Sequence, residues 1–197
     1  GGLLLFGLLG KEPLEAFTVF FINPLRDRYA LAELLLKATP LMLIAAGLSI
    51  GFSANVWNIG AEGQFIVGAI FATGTALALH EHGGVFTLPL MLIAGALGGA
   101  VWAAIPAWLR TRFNANEILV SLMLVYVAEL LVSWLVHGPW KDPEGFNFPQ
   151  TRMFDDVALL PLLLDETRLN AAFALAIAGL VAACVFTGRG ADGYRLA

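Results

Sequence analysis

The segment at residues 55–65 reads NVWNIGAEGQF, and it separates two long apolar runs. It contains asparagines, glycines, a glutamine and the acidic Glu62. The flanking runs carry no charged residue from Ala38 to Ala61 and from Gly63 to Leu79. Such runs are of the length that crosses a bilayer. The segment therefore predicts a polar break between two membrane helices.

The composition of the chain is typical of a membrane protein. Only 13% of the residues are charged and 59% are hydrophobic, whereas a soluble domain has about 25% charged residues. The net charge of −4 is spread over the polar segments, so it indicates no nucleic-acid partner. We predict an all-α fold, a polytopic transmembrane helical bundle that contacts membrane lipid.

The hydropathy pattern divides the chain into about five complete spans and a partial first span at residues 1–9. The complete segments are Ala38–Ala61, Gly63–Leu79, Gly83–Leu109, Ile118–Val136 and Leu169–Gly188. Because the chain starts inside an apolar run, we interpret residues 1–197 as a single transmembrane domain and a fragment whose N-terminal start is missing. The basic residues of the connecting segments leave the orientation undetermined.

Two interpretations fit the break at residues 55–65. Asn58 is a good N-cap for a helix that begins near Ile59, and Glu62 would then lie in the first turn, where the helix dipole favours a negative charge. Alternatively, Gly60 and Gly63 mark a broken helix whose polar groups face a translocation path. On physical grounds the capped helix start is somewhat favoured.

A second polar cluster, around Asn116 and Glu117, precedes the apolar run from Ile118 to Val136. Asn116 is again suited to cap a helix, and Glu117 to occupy its first turn. Farther along this run, Ser121 and Tyr126 are candidates to face a polar path. Each hydroxyl is equally able to bond to neighbouring backbone groups.

Glu129 is the unusual residue of this run. Twelve residues beyond Glu117, it lies about 18 Å along the helix axis. A carboxylate at that depth costs roughly 2.5–3.5 kcal/mol, so it should face the bundle interior or a partner subunit, or be protonated. Intramembrane acids are functional candidates, and a structural hydrogen bond is the competing explanation.

Two further patterns leave alternatives open. Glycines four residues apart, Gly47 with Gly51 and Gly95 with Gly99, allow helix backbones to approach closely, although small residues are common in membrane helices in any case. The loop at residues 138–168 is rich in prolines. It is either a lid or docking surface or, more simply, a solvated connector.

The sequence predicts no cofactor, no metal and no catalytic constellation. The two histidines at residues 80–82 lack a convincing third metal ligand. A phosphate-binding P-loop is absent, so the chain does not itself bind ATP through that motif. No nucleophile and base occur at an enzyme-like spacing, and we therefore predict a protein that is not an enzyme.

Three motifs resemble a known family. Residues 51–72 read GFSANVWNIGAEGQFIVGAIFA, residues 114–129 read NANEILVSLMLVYVAE, and residues 187–197 read TGRGADGYRLA. They are similar to segments of permease subunits of ABC importers of the ribose and branched-chain amino-acid type, in the nucleoside branch of simple-sugar permeases. The sequence departs from that pattern at Val125, where an asparagine is expected, and at Glu129. The second half expected of such a permease is absent.

The resemblance implies a membrane-spanning subunit that translocates a nucleoside or a sugar-like solute across the bacterial inner (plasma) membrane. Its partners would be a second permease subunit, cytoplasmic ATPase subunits and an extracytoplasmic solute-binding lipoprotein. It also implies that the loop at residues 138–168 is external, and that Arg110, Arg112, Arg189 and Arg195 are cytoplasmic. The residues of the substrate path would be Asn55, Asn58, Glu62, Gln64, Asn116, Glu117 and Ser121. The ATPase-coupling side would carry Arg189, Gly193, Tyr194 and Arg195.

Two other functions compete with this one. In an ion-coupled secondary transporter, Glu62, Glu117 or Glu129 would be the proton or ion site. A membrane enzyme or an assembly subunit is the second alternative, which the absence of a catalytic constellation weakens.

Overall fold

The computed structural model describes residues 6–10 and 12–189. Apart from turns and an isolated antiparallel bridge between Leu162 and Asn170, the longer elements of these residues are helices. A short π-helical turn, Thr18–Ile22, separates α1 from α2, and a 3-10 turn, Asp156–Ala158, lies in the loop before α7. The helices are α1 (Pro13–Phe17), α2 (Asn23–Arg26), α3 (Arg28–Ser53), α4 (Ala61–Ala78), α5 (Thr87–Phe113), α6 (Glu117–His137) and α7 (Ala172–Arg189). The predicted all-α, polytopic helical bundle is confirmed.

In the described part of the chain, α3, α4, α5 and α6 are the helices long and apolar enough to cross a membrane. The apolar stretch of α7, Ala172–Gly188, is shorter than these four. The fifth predicted span was placed from Leu169, but residues 169–171 pair with residues 161–163 around the antiparallel bridge between Leu162 and Asn170, and the helix starts only at Ala172. Most of the predicted partial span at residues 1–9 lies outside the described residues.

The predicted bounds of the first internal span, Ala38–Ala61, are wrong at both ends. Helix α3 starts at Arg28, directly after Asp27, whose carboxylate accepts a hydrogen bond from the Ala30 amide at 3.2 Å. Its second turn therefore contains Glu33, which pairs with Arg168, whose Nε and Nη2 lie 2.8 Å and 2.5 Å from the carboxylate oxygens. This hydrogen-bonded pairing raises the pKa of the Arg168 guanidinium. The helix ends at Ser53, ahead of Asn55, whose φ of 56° is incompatible with a continuing right-handed helix.

The contacts within the chain define two units. Among the described residues, the first unit comprises residues 6–10, 12–47 and 160–189, and the second comprises residues 48–159. In the first unit, α3 and α7 meet where a Cβ added to Gly179 would lie 3.3 Å from Cδ2 of Leu43. The second unit holds α4, α5 and α6.

Helices α4 and α5 approach each other through glycine. A Cβ added to Gly68 would lie 2.9 Å from the Gly95 carbonyl oxygen, and one added to Gly99 would lie 3.2 Å from the Gln64 carbonyl oxygen. The predicted close approach at Gly95 and Gly99 is therefore confirmed. Among the described residues, by contrast, no atom lies within 4 Å of a Cβ added to Gly47.

The end of the second unit that carries the long loop has a small core of its own. Ala158 packs with Ala76 and Met91 at the facing ends of α4 and α5. Next to this core, Nδ1 of His80 lies 3.1 Å from the Asp155 carboxylate, and the Glu81 amide donates to the same carboxylate. The loop thus packs on α4 and α5 as far as Asp155 and Ala158.

Candidate functional site

The second unit contains a cavity of about 270 Å³. It lies at the start of α4, the end of α5 and the start of α6, next to the polar segments that precede α4 and α6. This volume is near the lower limit of small-molecule sites. Its lining combines apolar surface with a few polar groups, which is the usual composition of a ligand site. The lining residues are Val56, Trp57, Asn58, Gln64, Ala103, Pro106, Ala107, Arg110, Thr111, Glu117 and Ser121.

Asn58 links the turn before α4 to the first turns of that helix. Its Oδ1 accepts a hydrogen bond from the Gly60 amide at 2.9 Å, and its Nδ2 donates to Oε1 of Gln64 at 3.3 Å. The helix begins at Ala61 with Gly60 as its N-cap, and not near Ile59 as predicted. The Asn58 side chain folds the preceding turn, because an asparagine readily bonds its own backbone two residues on. Both amides border the cavity.

Asn116 and Ser121 hold the start of α6. The predicted cap is confirmed, since Oδ1 of Asn116 accepts from the amides of Ile118 and Leu119 at 3.0 Å and 3.3 Å. Ser121 is 2% exposed and donates to the Ile118 carbonyl at 3.1 Å. A Cβ on Gly60 would lie 2.8 Å from Cβ of Ser121. Gly60 therefore allows the polar break to pack directly on α6.

An ion pair closes one side of the cavity. Nη1 of Arg110, in the last turn of α5, lies 2.5 Å from Oε1 of Glu117, the first residue of α6. The turn between the helices is tight, with Asn114 in the left-handed region at φ 52°. The two charges thus clamp adjacent helix ends across this turn. They also place a fixed dipole in the cavity wall.

The sequence motifs did not identify Trp57, Arg110 and Thr111 as members of the site. Trp57 packs against Phe52 with ring centroids 5.4 Å apart, while more than half of its surface is exposed. Pro106 also lines the cavity, and as a proline inside α5 it cannot donate to the carbonyl of residue 102. Aromatic and proline residues are common in apolar segments, so the sequence alone carries no signal for Trp57 and Pro106.

Not every residue predicted for the substrate path lines the cavity. The Asn55 side chain lies outside it and accepts a hydrogen bond from Nε1 of Trp57 at 3.4 Å. Glu62 lies in the first turn of α4 on an exposed face. Asn116 is the N-cap of α6 and does not line the cavity. The four that line the cavity are Asn58, Gln64, Glu117 and Ser121.

The proposed coupling side falls at the end of the described chain. Arg189 is the last residue of α7, whereas Gly193, Tyr194 and Arg195 lie outside the described residues. Among the residues that the structure describes, no three His, Cys, Asp or Glu side chains form a group that could hold a metal ion.

Comparisons with known proteins identify the family. Residues 30–197 match the family described as the permease component of the branched-chain amino acid transport system. A glucose ABC transporter permease protein of Haloferax volcanii is 42% identical over 163 residues, which is 83% of this chain and 42% of the relative. A guanosine ABC transporter permease protein of Bacillus subtilis is 24% identical over 199 residues, covering 99% of this chain and 56% of the relative.

A nucleoside ABC transporter permease protein of Lactococcus lactis is 25% identical over 198 residues, covering 94% of this chain and 53% of the relative. The chain thus spans about half the length of the curated relatives it matches. No solved structure matches the chain. With its apolar helices it is a multi-pass protein of the plasma membrane. The match over residues 30–197 means that this chain belongs to the family of permease components of branched-chain amino acid-type transport systems.

Proposed function

We propose that the chain is part of the membrane-spanning permease subunit of an ATP-driven importer, and that the cavity of the second unit lies on its solute path. The observation that carries this proposal is the pairing of Asn58 and Gln64 at one edge of the cavity. Neutral amides offer both donors and acceptors, which suits an uncharged, hydroxyl-bearing solute.

The relatives narrow the class of solute. Three that cover more than four fifths of this chain are a glucose permease and two nucleoside permeases. A hexose and the ribose of a nucleoside both present hydroxyl groups on a ring with apolar faces. The exposed Trp57 provides an aromatic surface for such a ring, while the amides meet its polar edge. A sugar or a nucleoside is therefore the proposed solute.

The proposed assembly has separate parts. A second permease subunit completes the path, cytoplasmic ATPase subunits drive alternating access, and an extracytoplasmic lipoprotein delivers the solute. In this topology Arg110 and Arg112 face the cytoplasm, so the cavity lies near the cytoplasmic end of the second unit. Gly193, Tyr194 and Arg195, with Arg189, then belong to the side that couples to the ATPase.

The ion-coupled alternative has less support. The glucose, guanosine and nucleoside relatives described above are all ABC transporter permeases. Glu62 and Glu117 occupy first turns of helices, where a carboxylate is stabilised by the helix dipole without any role in ion transport.

Reconstituted vesicles that contain the full-length subunit and its partner subunits test the proposal. We expect uptake of labelled glucose or guanosine to require ATP on the ATPase side and the lipoprotein on the other side. Uptake should persist when ionophores collapse the ion gradients. Uptake that follows an ion gradient and ignores ATP would reject the importer.

A further inference from the structure

We propose that one face of α6, formed by Tyr126, Glu129, Ser133 and His137, lines a water-filled part of the solute path and binds hydroxyl groups of the solute. We call this set the polar stripe. The inference rests on the proposed function and extends it to residues outside the cavity described above. It also narrows the solute to one that is rich in hydroxyl groups.

The polar stripe follows the helix period. Its members are spaced by three, four and four residues, so at about 100° per residue they lie on one side of α6. All of them are exposed, and Tyr126 keeps 56% of its surface free. Because the stripe occupies roughly the last 12 residues of the helix, it extends from mid-membrane to the end that joins the long loop.

The rest of α6 separates into two other faces. The packed face contains buried residues, including Val125, Ala128 and Leu135. An exposed apolar face suits lipid contact and contains Met123, Val127 and Trp134, with Leu119 and Leu130 at its border with the polar stripe. The polar stripe lies between these two faces. A helix surrounded by lipid on its whole exposed side would have no reason to keep polar and apolar residues apart.

Glu129 is the decisive member of the stripe. In α4, α5 and α6 the other acidic and basic side chains, Glu62, Arg110, Arg112, Glu117 and His137, all lie in terminal turns. Among the described residues, none forms an ion pair or a hydrogen bond with the Glu129 carboxylate or the Tyr126 hydroxyl. A mid-span carboxylate on an exposed face is costly in lipid but not in water. We therefore infer that the face of α6 around Glu129 contacts water.

The chemistry of the stripe defines what it binds. The Glu129 side chain has two oxygens that can accept hydrogen bonds, and they match two neighbouring hydroxyl donors of a sugar ring. Tyr126 and Ser133 each offer a hydroxyl that donates and accepts, and the Ser133 hydroxyl also lies 3.5 Å from Nδ1 of His137. At the far end, Nδ1 of His137 lies 2.8 Å from the Ser133 carbonyl oxygen, so the imidazole is held against the helix.

Cysteine labelling tests whether the stripe is wet. Single cysteines replace Glu129, Ser133, Val127 or Trp134 in the full-length subunit within its transporting complex, with Cys184 and any other cysteine changed to alanine. A charged, membrane-impermeant thiol reagent should label the first two positions at least tenfold faster than the two control positions on the apolar face. Equal rates at all four positions, or disulfide formation at position 129 with a partner subunit, would overturn the assignment.

Uptake tests whether Glu129 binds the solute. In vesicles of the complete complex, Glu129→Gln should lower the apparent affinity for labelled glucose or guanosine about tenfold. A change of this size corresponds to the loss of one charge-assisted hydrogen bond. The effect should be smaller for deoxy analogues of the same solute. Unchanged affinity in a complex that still shows ATP-driven uptake would reject the role of Glu129 and leave the proposed function standing. Loss of ATP dependence in the wild type would reject the proposed function instead.

Discussion

Arg110 and Glu117 are seven residues apart, and Nη1 of Arg110 lies 2.5 Å from Oε1 of Glu117. The pair bridges the end of α5 and the start of α6, and both side chains line the cavity of the second unit. The ion pair therefore fixes both the tight turn between the two helices and one wall of the proposed solute path. A change in one charge should therefore affect transport more than stability.

Glu117→Gln should lower the free energy of unfolding by less than about 1 kcal/mol, because the pair is partly exposed and such ion pairs contribute little to stability. Uptake should fall severalfold, since the neutral amide holds Arg110 less firmly at the cavity wall. Thermal unfolding in detergent and solute uptake measure the two effects. The exchanged pair Arg110→Glu with Glu117→Arg is the control, and a failure to recover any uptake would argue against a clamping role.

Asn58→Asp separates the two hydrogen bonds of Asn58. The aspartate keeps an oxygen that accepts from the Gly60 amide, but it loses the Nδ2 donor to Gln64. We expect nearly unchanged thermal stability and uptake reduced about tenfold, because a charge replaces a neutral donor at the cavity edge. Asn58→Ala is the matched comparison and should also lose about 1 kcal/mol of stability. Normal uptake by Asn58→Asp would exclude the amide pair from the path.

Trp57→Phe and Trp57→Ala measure the value of an aromatic surface at the cavity. Phenylalanine preserves a ring that can face the solute and pack on Phe52, so uptake should stay within about twofold of the wild type. Alanine removes the ring, and the apparent affinity for the solute should fall about tenfold. Initial uptake rates across solute concentrations give both values. Equal loss in the two variants would point to the indole Nε1 and its bond to Asn55 instead.

Gly68→Ala should disrupt the crossing of α4 and α5. The new methyl carbon would lie 2.9 Å from the Gly95 carbonyl oxygen, so the helices must separate, at a cost of roughly 1–3 kcal/mol. Gly47→Ala is the control, because an added Cβ there meets nothing within 4 Å. Thermal unfolding of both variants in the same detergent is the measurement. Equal melting temperatures would mean that the crossing tolerates a methyl group.

Local signals predicted much of the fold. The apolar runs located α4, α5 and α6, and Asn116 was recognised as a cap because its bonds reach only two and three residues along the chain. The start of α3 was misplaced, because the predicted span was limited to uncharged residues, whereas Glu33 within the helix pairs with Arg168, which is distant in sequence. Periodicity carries no information about such a partner.

The candidate site was predicted only in part, for the same physical reason. Asn58, Gln64, Glu117 and Ser121 stood out as polar residues beside apolar runs, and they do line one cavity. Trp57 and Pro106 are inconspicuous in a chain rich in apolar residues, and only the packing of three helices places them in the wall. Asn58 was predicted to cap α4, which was wrong, since Gly60 is the N-cap; its side chain instead bonds the Gly60 amide and borders the cavity, and its place on a solute path stays a prediction.

The most direct test of the account is the access of water and solute to Gln64. In the transporting complex, Gln64→Cys, with Cys184 changed to alanine, is exposed to a small hydrophilic thiol reagent, with and without ATP and a saturating amount of the transported solute. The account predicts labelling during ATP turnover and at least a severalfold slower rate when the solute is present. A cysteine at position 64 that stays unlabelled in every state of a working transporter would contradict a solute path through this cavity.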